Sequence, residues 1–176
     1  MSAVDIEFLQ GWVGSTETHC DVISVAPVAG LSASLDYLSP PAQVGEALPP
    51  GWHWLYFHDA VAASKLAVDG HARRGNFMPP VPLSRRMWAG GRLRFFSPVT
   101  IGAEVRRVST IASITHREGR SGELIFVTLS HQIFQQDKLA IEEEQNLVYR
   151  DYGTSGKVVR PVPAKAQWSR EICPDS

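Results

Sequence analysis

Six histidines, paired arginines and a few well-placed carboxylates are the residues of this chain with chemistry to offer. Arg85 and Arg86 come first. A guanidinium recognises carboxylate or phosphate through a planar two-pronged fork. Two of them follow a stretch stiffened by Pro79, Pro80 and Pro82, whose fixed φ angles force extended backbone. Gly90-Gly91 then allows close approach of another backbone or a ligand. That combination suits an anionic ligand laid along a sheet. Successive side chains of a strand diverge, so one arginine is expected to face the ligand and the other to make a structural ion pair. Trp88 and Trp54 are candidates to line the same channel, and His71 to touch the ligand from a loop. The run Glu142-Glu143-Glu144 is expected to supply partners for these arginines or to form a solvated face.

Three further residues are weak candidates for acid–base work. His58-Asp59 sets an imidazole next to a carboxylate, which can tune a base. Neighbours in extended backbone point apart, however, which favours a solvent-facing pair. His53 stands between two tryptophans and reads as a hydrogen-bonded structural histidine before it reads as a base. His131 falls on the apolar face of a strand, where a satisfied core histidine is expected. No pair has metal-ligand spacing, and two cysteines without a CxxC make neither a zinc site nor a disulfide framework, so no metal is expected.

The elements that must hold these residues follow from pattern. Val4 to Trp12 predicts a short helix stopped near Gly11 or Gly14. Asp21 to Tyr37 predicts a second, with Asp21 and Ser24 as caps and Pro27 in the first turn. Gly51 to Phe57 predicts a strand with Trp52, Trp54 and Tyr56 on one face, as core packing or as the wall of a tunnel. Ala60 to Leu66 predicts a short helix, and Asp69-Gly70 a turn. Strands follow at Met87–Phe96, Glu104–His116, Leu124–Gln135 and Leu139–Tyr149. In the third of these, Ile125, Val127, Leu129, His131 and Ile133 share a face. Val105, Val108, Ile111 and Ile114 recur every third residue and fit no strand template, yet β-branched content favours a strand. Arg73-Arg74 reads as solvated loop charge. Helices, then a long connection, then strands joined by tight turns give an α+β fold.

Composition bounds the function. A chain of 176 residues, 44% hydrophobic and 20% charged, fits one soluble domain with a real core. A net charge of −1 argues against nucleic acid as a partner. No apolar run reaches the length of a membrane span, the first residues lack the order of a signal peptide, and a cytoplasmic protein is expected.

Four ordered motifs carry a resemblance: LPPGWHWLYF at 48–57, DGHARRGNFMPPVPLSRRMWAGG at 69–91, GRSGELIFVTLSHQI at 119–133 and EEEQNLVYRD at 142–151. They resemble the MaoC-like N-terminal dehydratase domain of the mesaconyl-CoA and itaconyl-CoA hydratases. The hydroxyacyl-thioester dehydratases of type 2 belong to the same wider family. The resemblance covers nearly the whole chain. It implies a hotdog fold, a curved antiparallel sheet wrapped around a central helix, over residues 1–152, with 153–176 as a polar, proline-containing linker or tail. It implies an acyl-CoA hydratase or dehydratase that adds water to an enoyl thioester. The CoA ester is then the substrate, no separate cofactor is needed, and a second hotdog domain is the partner in a homo- or heterodimer. The Asp-x-Asn-Pro-x-His motif of these hydratases is missing, since Asp36-Tyr37-Leu38-Ser39-Pro40 lacks its Asn and His. The chain therefore looks like the half that shapes the substrate channel. Two alternatives stand beside this reading: a non-catalytic thioester-binding subunit, and a hotdog thioesterase with Asp21 as its carboxylate.

Overall fold

The computed structural model describes residues 4–37, 42–119, 122–151 and 168. The proposed linker at 153–176 therefore lies outside the described residues, apart from Trp168. Among the described residues two helices, α1 (Ile6–Gln10) and α2 (Val25–Ser34), accompany five strands. These are β1 (Thr16–Val22), β2 (Arg85–Phe95), β3 (Glu104–Gly119), β4 (Gly122–Gln135) and β5 (Lys138–Arg150). They form one antiparallel sheet in the order β1-β3-β4-β5-β2, with α2 following β1. This curved sheet with its helix is the hotdog arrangement that the motifs imply.

The central ladder forms because its sequence is β-branched and its turns are tight. Gln136 and Asp137 both take positive φ, at 50° and 59°, and close the β4–β5 hairpin in two residues. That backbone twist matches the twist of the flanking strands. The odd spacing in β3 has a local cause. Val105, Ser109 and Ile111 are buried at even spacing. A register shift between Ile111 and Ser113 then changes phase, and Ile114 is buried next. A bulge inserts one residue and re-aims the strand. Close approach at Gly91 is real, and the approaching group is backbone: a Cβ there would lie 2.7 Å from the Glu144 carbonyl oxygen of β5.

Three expectations need correction. Residues 16–22 form β1, so the second helix begins at Val25 rather than Asp21. Thr16-Glu17-Thr18-His19-Cys20-Asp21-Val22 is polar, and none of it is fully buried. It is an edge strand made by pairing with β3, which no local pattern announces. Ser24 does precede α2, without a side-chain capping bond. Gly51 to Phe57 is no strand: Trp52–Leu55 is a 3-10 helix. Gly51 turns the chain at φ 88°, and the amides of Trp52 and Tyr56 bond back to Pro49 and His53 at 3.1 and 3.2 Å. The backbone is satisfied locally, so no partner strand is needed. Ala63–Lys65 is likewise a 3-10 turn rather than a helix over 60–66.

One face of the sheet holds the core in two clusters. Ile23, Val28, Tyr56, Val99, Val105, Ile133 and Ile141 form one, at the end near α2. Leu9, Val81, Leu83, Ile111, Ile125, Leu129, Leu147 and Tyr149 form the other, beneath α1 and the proline strap. Burying one such side chain contributes about 1.5–3 kcal/mol.

Candidate functional site

A polar band crosses the sheet between these two clusters. On β3 it begins with Arg107 and the fully buried Ser109; on β4 it continues with His131; on β5 it ends with Glu143 and Gln145. Register makes this band. Ser109 pairs with His131, and His131 pairs with Glu143, so the three stand side by side on one face. Ser109 Oγ lies 2.9 Å from His131 Nδ1.

The 3-10 helix lays two more groups on the band. Because its side chains fan outward, His53 turns in and is 3% exposed, while Trp54 stays 56% exposed. His53 Nε2 lies 3.3 Å from Glu143 Oε2, and Trp54 Nε1 donates to Oε1 at 3.1 Å. Burial pushes the Glu143 carboxyl up. The hydrogen bond from His53, the charge of His131 and the hydrogen bond from Trp54 together outweigh it and hold the group below the ordinary glutamate value. Glu143 is therefore a carboxylate at neutral pH and can only accept, so His53 carries its hydrogen on Nε2. His53 Nδ1 is buried with no partner. Burial also pushes His131 below the ordinary imidazole value, against the pull of Glu143.

The segment is pinned from below. Asp21 Oδ2 accepts from the Phe57 amide at 2.7 Å, holding Phe57 at φ 61°. Tyr56 donates its hydroxyl to the Ser24 carbonyl at 2.6 Å. Asp21 is thus a clamp for the 3-10 segment rather than a helix cap.

The other predicted residues fall in different places. His58 is exposed, and its neighbour Asp59 is committed elsewhere, 3.1 Å from His19 Nδ1. Arg85 and Arg86 begin β2, and Arg86 is half-buried opposite Tyr149. His71 is exposed, 3.5 Å from Asp69. Asp69 gathers that end of the molecule. A backbone hydrogen bond from His71 lowers its carboxyl, helped by the charges of His71, Arg86 and Arg74. Trp88 is exposed on β2. So the structure brings His53 and Trp54 together on one carboxylate. It sets Arg86 and His71 around another, about 20 Å away along β5.

The acidic run behaves differently from expectation. It lies opposite Arg92–Arg94, not opposite Arg85-Arg86. Glu142 pairs with Arg94 at 3.7 Å, and Glu144 accepts from Asn146 at 3.0 Å. Glu143 points to the other face and becomes the centre of the site. Strand alternation from Ile141 through Leu147 puts it on the apolar face, but the sequence does not single it out as the centre of a site. Among the described residues no group of three His, Cys, Asp or Glu could hold a metal, and no helix is long and apolar enough to cross a membrane.

Comparison with known proteins agrees with the fold and defines the family. The family model of hydroxyacyl-thioester dehydratase type 2 matches residues 51–176. Mesaconyl-C(4)-CoA hydratase of Chloroflexus aurantiacus is 43% identical over 167 residues, 93% of this chain and 60% of that protein. The mitochondrial hydroxyacyl-thioester dehydratase type 2 of Schizosaccharomyces pombe is 27% identical over 157 residues, 73% of this chain and 52% of that protein. The chain thus spans between half and two thirds of the curated relatives it matches. Among solved structures, a chain of the ChsH1-ChsH2 complex from Mycobacterium tuberculosis superposes with a TM-score of 0.61. It is 10% identical, with 85% of this chain and 91% of that one covered, so the likeness is one of fold. With that fold, and with matches that run through the segment carrying His53 and Glu143, the chain belongs to the hydroxyacyl-thioester dehydratase type 2 family of hotdog dehydratase domains.

Proposed function

We propose that this chain is the substrate-shaping half of an acyl-CoA hydro-lyase, adding water to an enoyl thioester of the mesaconyl or itaconyl kind. A second hotdog domain completes the active site. The observation that carries this reading is the polar band itself. Groups able to hold a water or hydroxyl are set across a sheet face that is otherwise apolar, where a short acyl chain can lie. The 43% identity to a mesaconyl-CoA hydratase supports the substrate class. Arg86, half-buried at the far end of this face, supplies positive charge for phosphate or a free carboxylate. Water addition is acid–base chemistry, so the reading calls for no cofactor besides the CoA carried by the substrate.

A second reading, a thioester-binding subunit without turnover, draws on the missing Asp-x-Asn-Pro-x-His motif. The thioesterase alternative asks for a carboxylate at the helix start, and Asp21 lies instead in strand β1, four residues before α2, where it braces the Phe57 amide at 2.7 Å.

Native mass spectrometry of the purified protein, with an ultraviolet assay on mesaconyl-CoA and crotonyl-CoA, tests the proposal. Loss of enoyl-thioester absorbance by a complex containing a second hotdog is the expected result. Thioester binding without turnover in that complex favours the binding-subunit reading. Failure to bind either ester removes both. Arg85→Ala and Arg86→Ala each test the anion contact, and an unchanged dissociation constant in both removes it.

A further inference from the structure

Glu143 and His53 are not a closed pair. A carboxylate offers about four lone-pair positions. The His53 and Trp54 contacts occupy one on each oxygen, at 3.3 and 3.1 Å. His53 Nδ1, in a side chain 97% buried, meets no donor. Leaving a buried polar atom open is costly, and such atoms are rare outside functional sites. The open positions share one character. The free positions on Glu143 are acceptors, and so is Nδ1 in the neutral ring. A carbonyl, a carboxylate or a phosphate does not fit there. A hydrogen-bond donor does.

Access exists on two sides. The Glu143 side chain is 10% exposed, and the half-exposed Trp54 indole stands directly on it. On the other side, the Phe95 ring lies 6.2 Å from the His53 ring. Phe95 also lines an open groove of about 320 Å³ with Leu48, Pro49, Phe96, Pro98 and Ile141. Ile141 is two residues before Glu143 on the same face of β5. The apolar groove thus ends at Phe95 and Ile141, which neighbour His53 and Glu143, and Glu143 keeps accepting positions beyond its two donors.

We infer that Glu143 is a substrate-contacting residue that accepts a hydrogen bond from the β-hydroxyl of a hydroxyacyl thioester, with its acyl chain in the groove behind Phe95. This rests on the thioester reading above and adds the residue that tells a hydroxylated acyl group from a plain one. His53 and Trp54 are positioning residues that fix the carboxylate's plane. Free carboxylates of a substrate belong elsewhere, since Glu143 repels them.

The test compares binding of 3-hydroxybutyryl-CoA and butyryl-CoA to the full protein by titration calorimetry. The wild type is expected to prefer the hydroxylated ester by about tenfold, the scale of a hydrogen bond to a charged group. Glu143→Gln is expected to reduce that ratio strongly, with the larger loss falling on the hydroxylated ester. A purely structural role for Glu143 moves both affinities together. Glu143→Asp is the second variant, keeping the charge and drawing it back by one methylene; it too is expected to lower the ratio. Equal wild-type affinity for the two esters overturns the inference and leaves the thioester reading standing. So does a ratio that survives in the variants. Failure of the wild type to bind either ester overturns the thioester reading, and this inference with it.

Discussion

Arg74 and Glu143 are both drawn onto the same sheet face, and they are treated in opposite ways. Arg74 is 18% exposed and fully engaged. Its Nη1 donates to the carbonyls of Val81 and Leu83 at 2.7 and 2.6 Å, and Nη2 to Ser84 at 3.3 Å. Asp69 balances its charge at 3.6 Å, and the guanidinium lies 4.8 Å above the Tyr149 ring. It staples the proline strap to the sheet. Glu143 has two donors, two or so open lone-pair positions, and a neighbour whose ring nitrogen is also open. A buried charge whose bonding directions are filled by backbone serves the fold. One left partly open beside an apolar groove is placed for a ligand.

The sharpest way to break this contrast is Arg74→Ala. Two buried carbonyls lose their donor, at about 1–3 kcal/mol each, so a loss near 3 kcal/mol is expected in chemical denaturation. A loss under about 1 kcal/mol would show that the staple is not structural. Gly91→Ala comes next. The new Cβ would meet the Glu144 carbonyl at 2.7 Å, and strand β2 must move off β5 next to Glu143. A loss of about 2 kcal/mol is expected in thermal melts.

Acid should loosen the Glu143 band first. His131 and Glu143 both have folded-state values below their ordinary ones. A depressed value means the folded protein resists protonation, so stability is full above the unfolded value and is lost as pH falls. For His131 that loss begins below its ordinary 6.5. Melting temperature measured from pH 8 to 5 should fall, and His131→Gln should flatten the upper part of that slope. A profile unchanged by the variant would place the acid sensitivity elsewhere.

Glu143→Gln sharpens the contrast from the other side. Its shape is kept and His53 can change tautomer to match, so a stability loss of about 1 kcal/mol is expected, well below that of Arg74→Ala. The change in hydroxyl preference described above should be its main effect. The smallest effect is expected far from both residues. Asp137→Gly relieves a left-handed residue in the β4–β5 turn and should stabilise by about 0.5–1 kcal/mol in the same melts.

Much of the ladder was legible because strand alternation is a local property. Ile125 to Ile133 on β4 lie inward as their spacing requires, and Leu93 packs against the core from β2. The proline strap was legible too, since proline fixes its own geometry. The site was not. Glu143 falls on the apolar face of its strand, but within a run of three glutamates that reads as partners for arginines or as a solvated face. His53 and Trp54 were visible as a pair, but on a strand, where they would have faced opposite ways. Arg74 reads as loop charge, because the carbonyls it holds are seven to ten residues away.

By itself the sequence determined an α+β chain, the four strands β2, β3, β4 and β5, the strap, and the two family motifs that contain His53 and Glu143. Those follow from side-chain size, β-branching and the rigid φ of proline, which act over a few residues. The 3-10 turn at 52–55 is closed by its own backbone bonds, but tertiary structure alone decided that polar residues 16–22 are a strand and that His53, Trp54 and Glu143 meet. Each of those depends on partners 89 or 90 residues apart, or on a distant strand's hydrogen bonds, and such pairings are fixed only when the whole sheet closes its register.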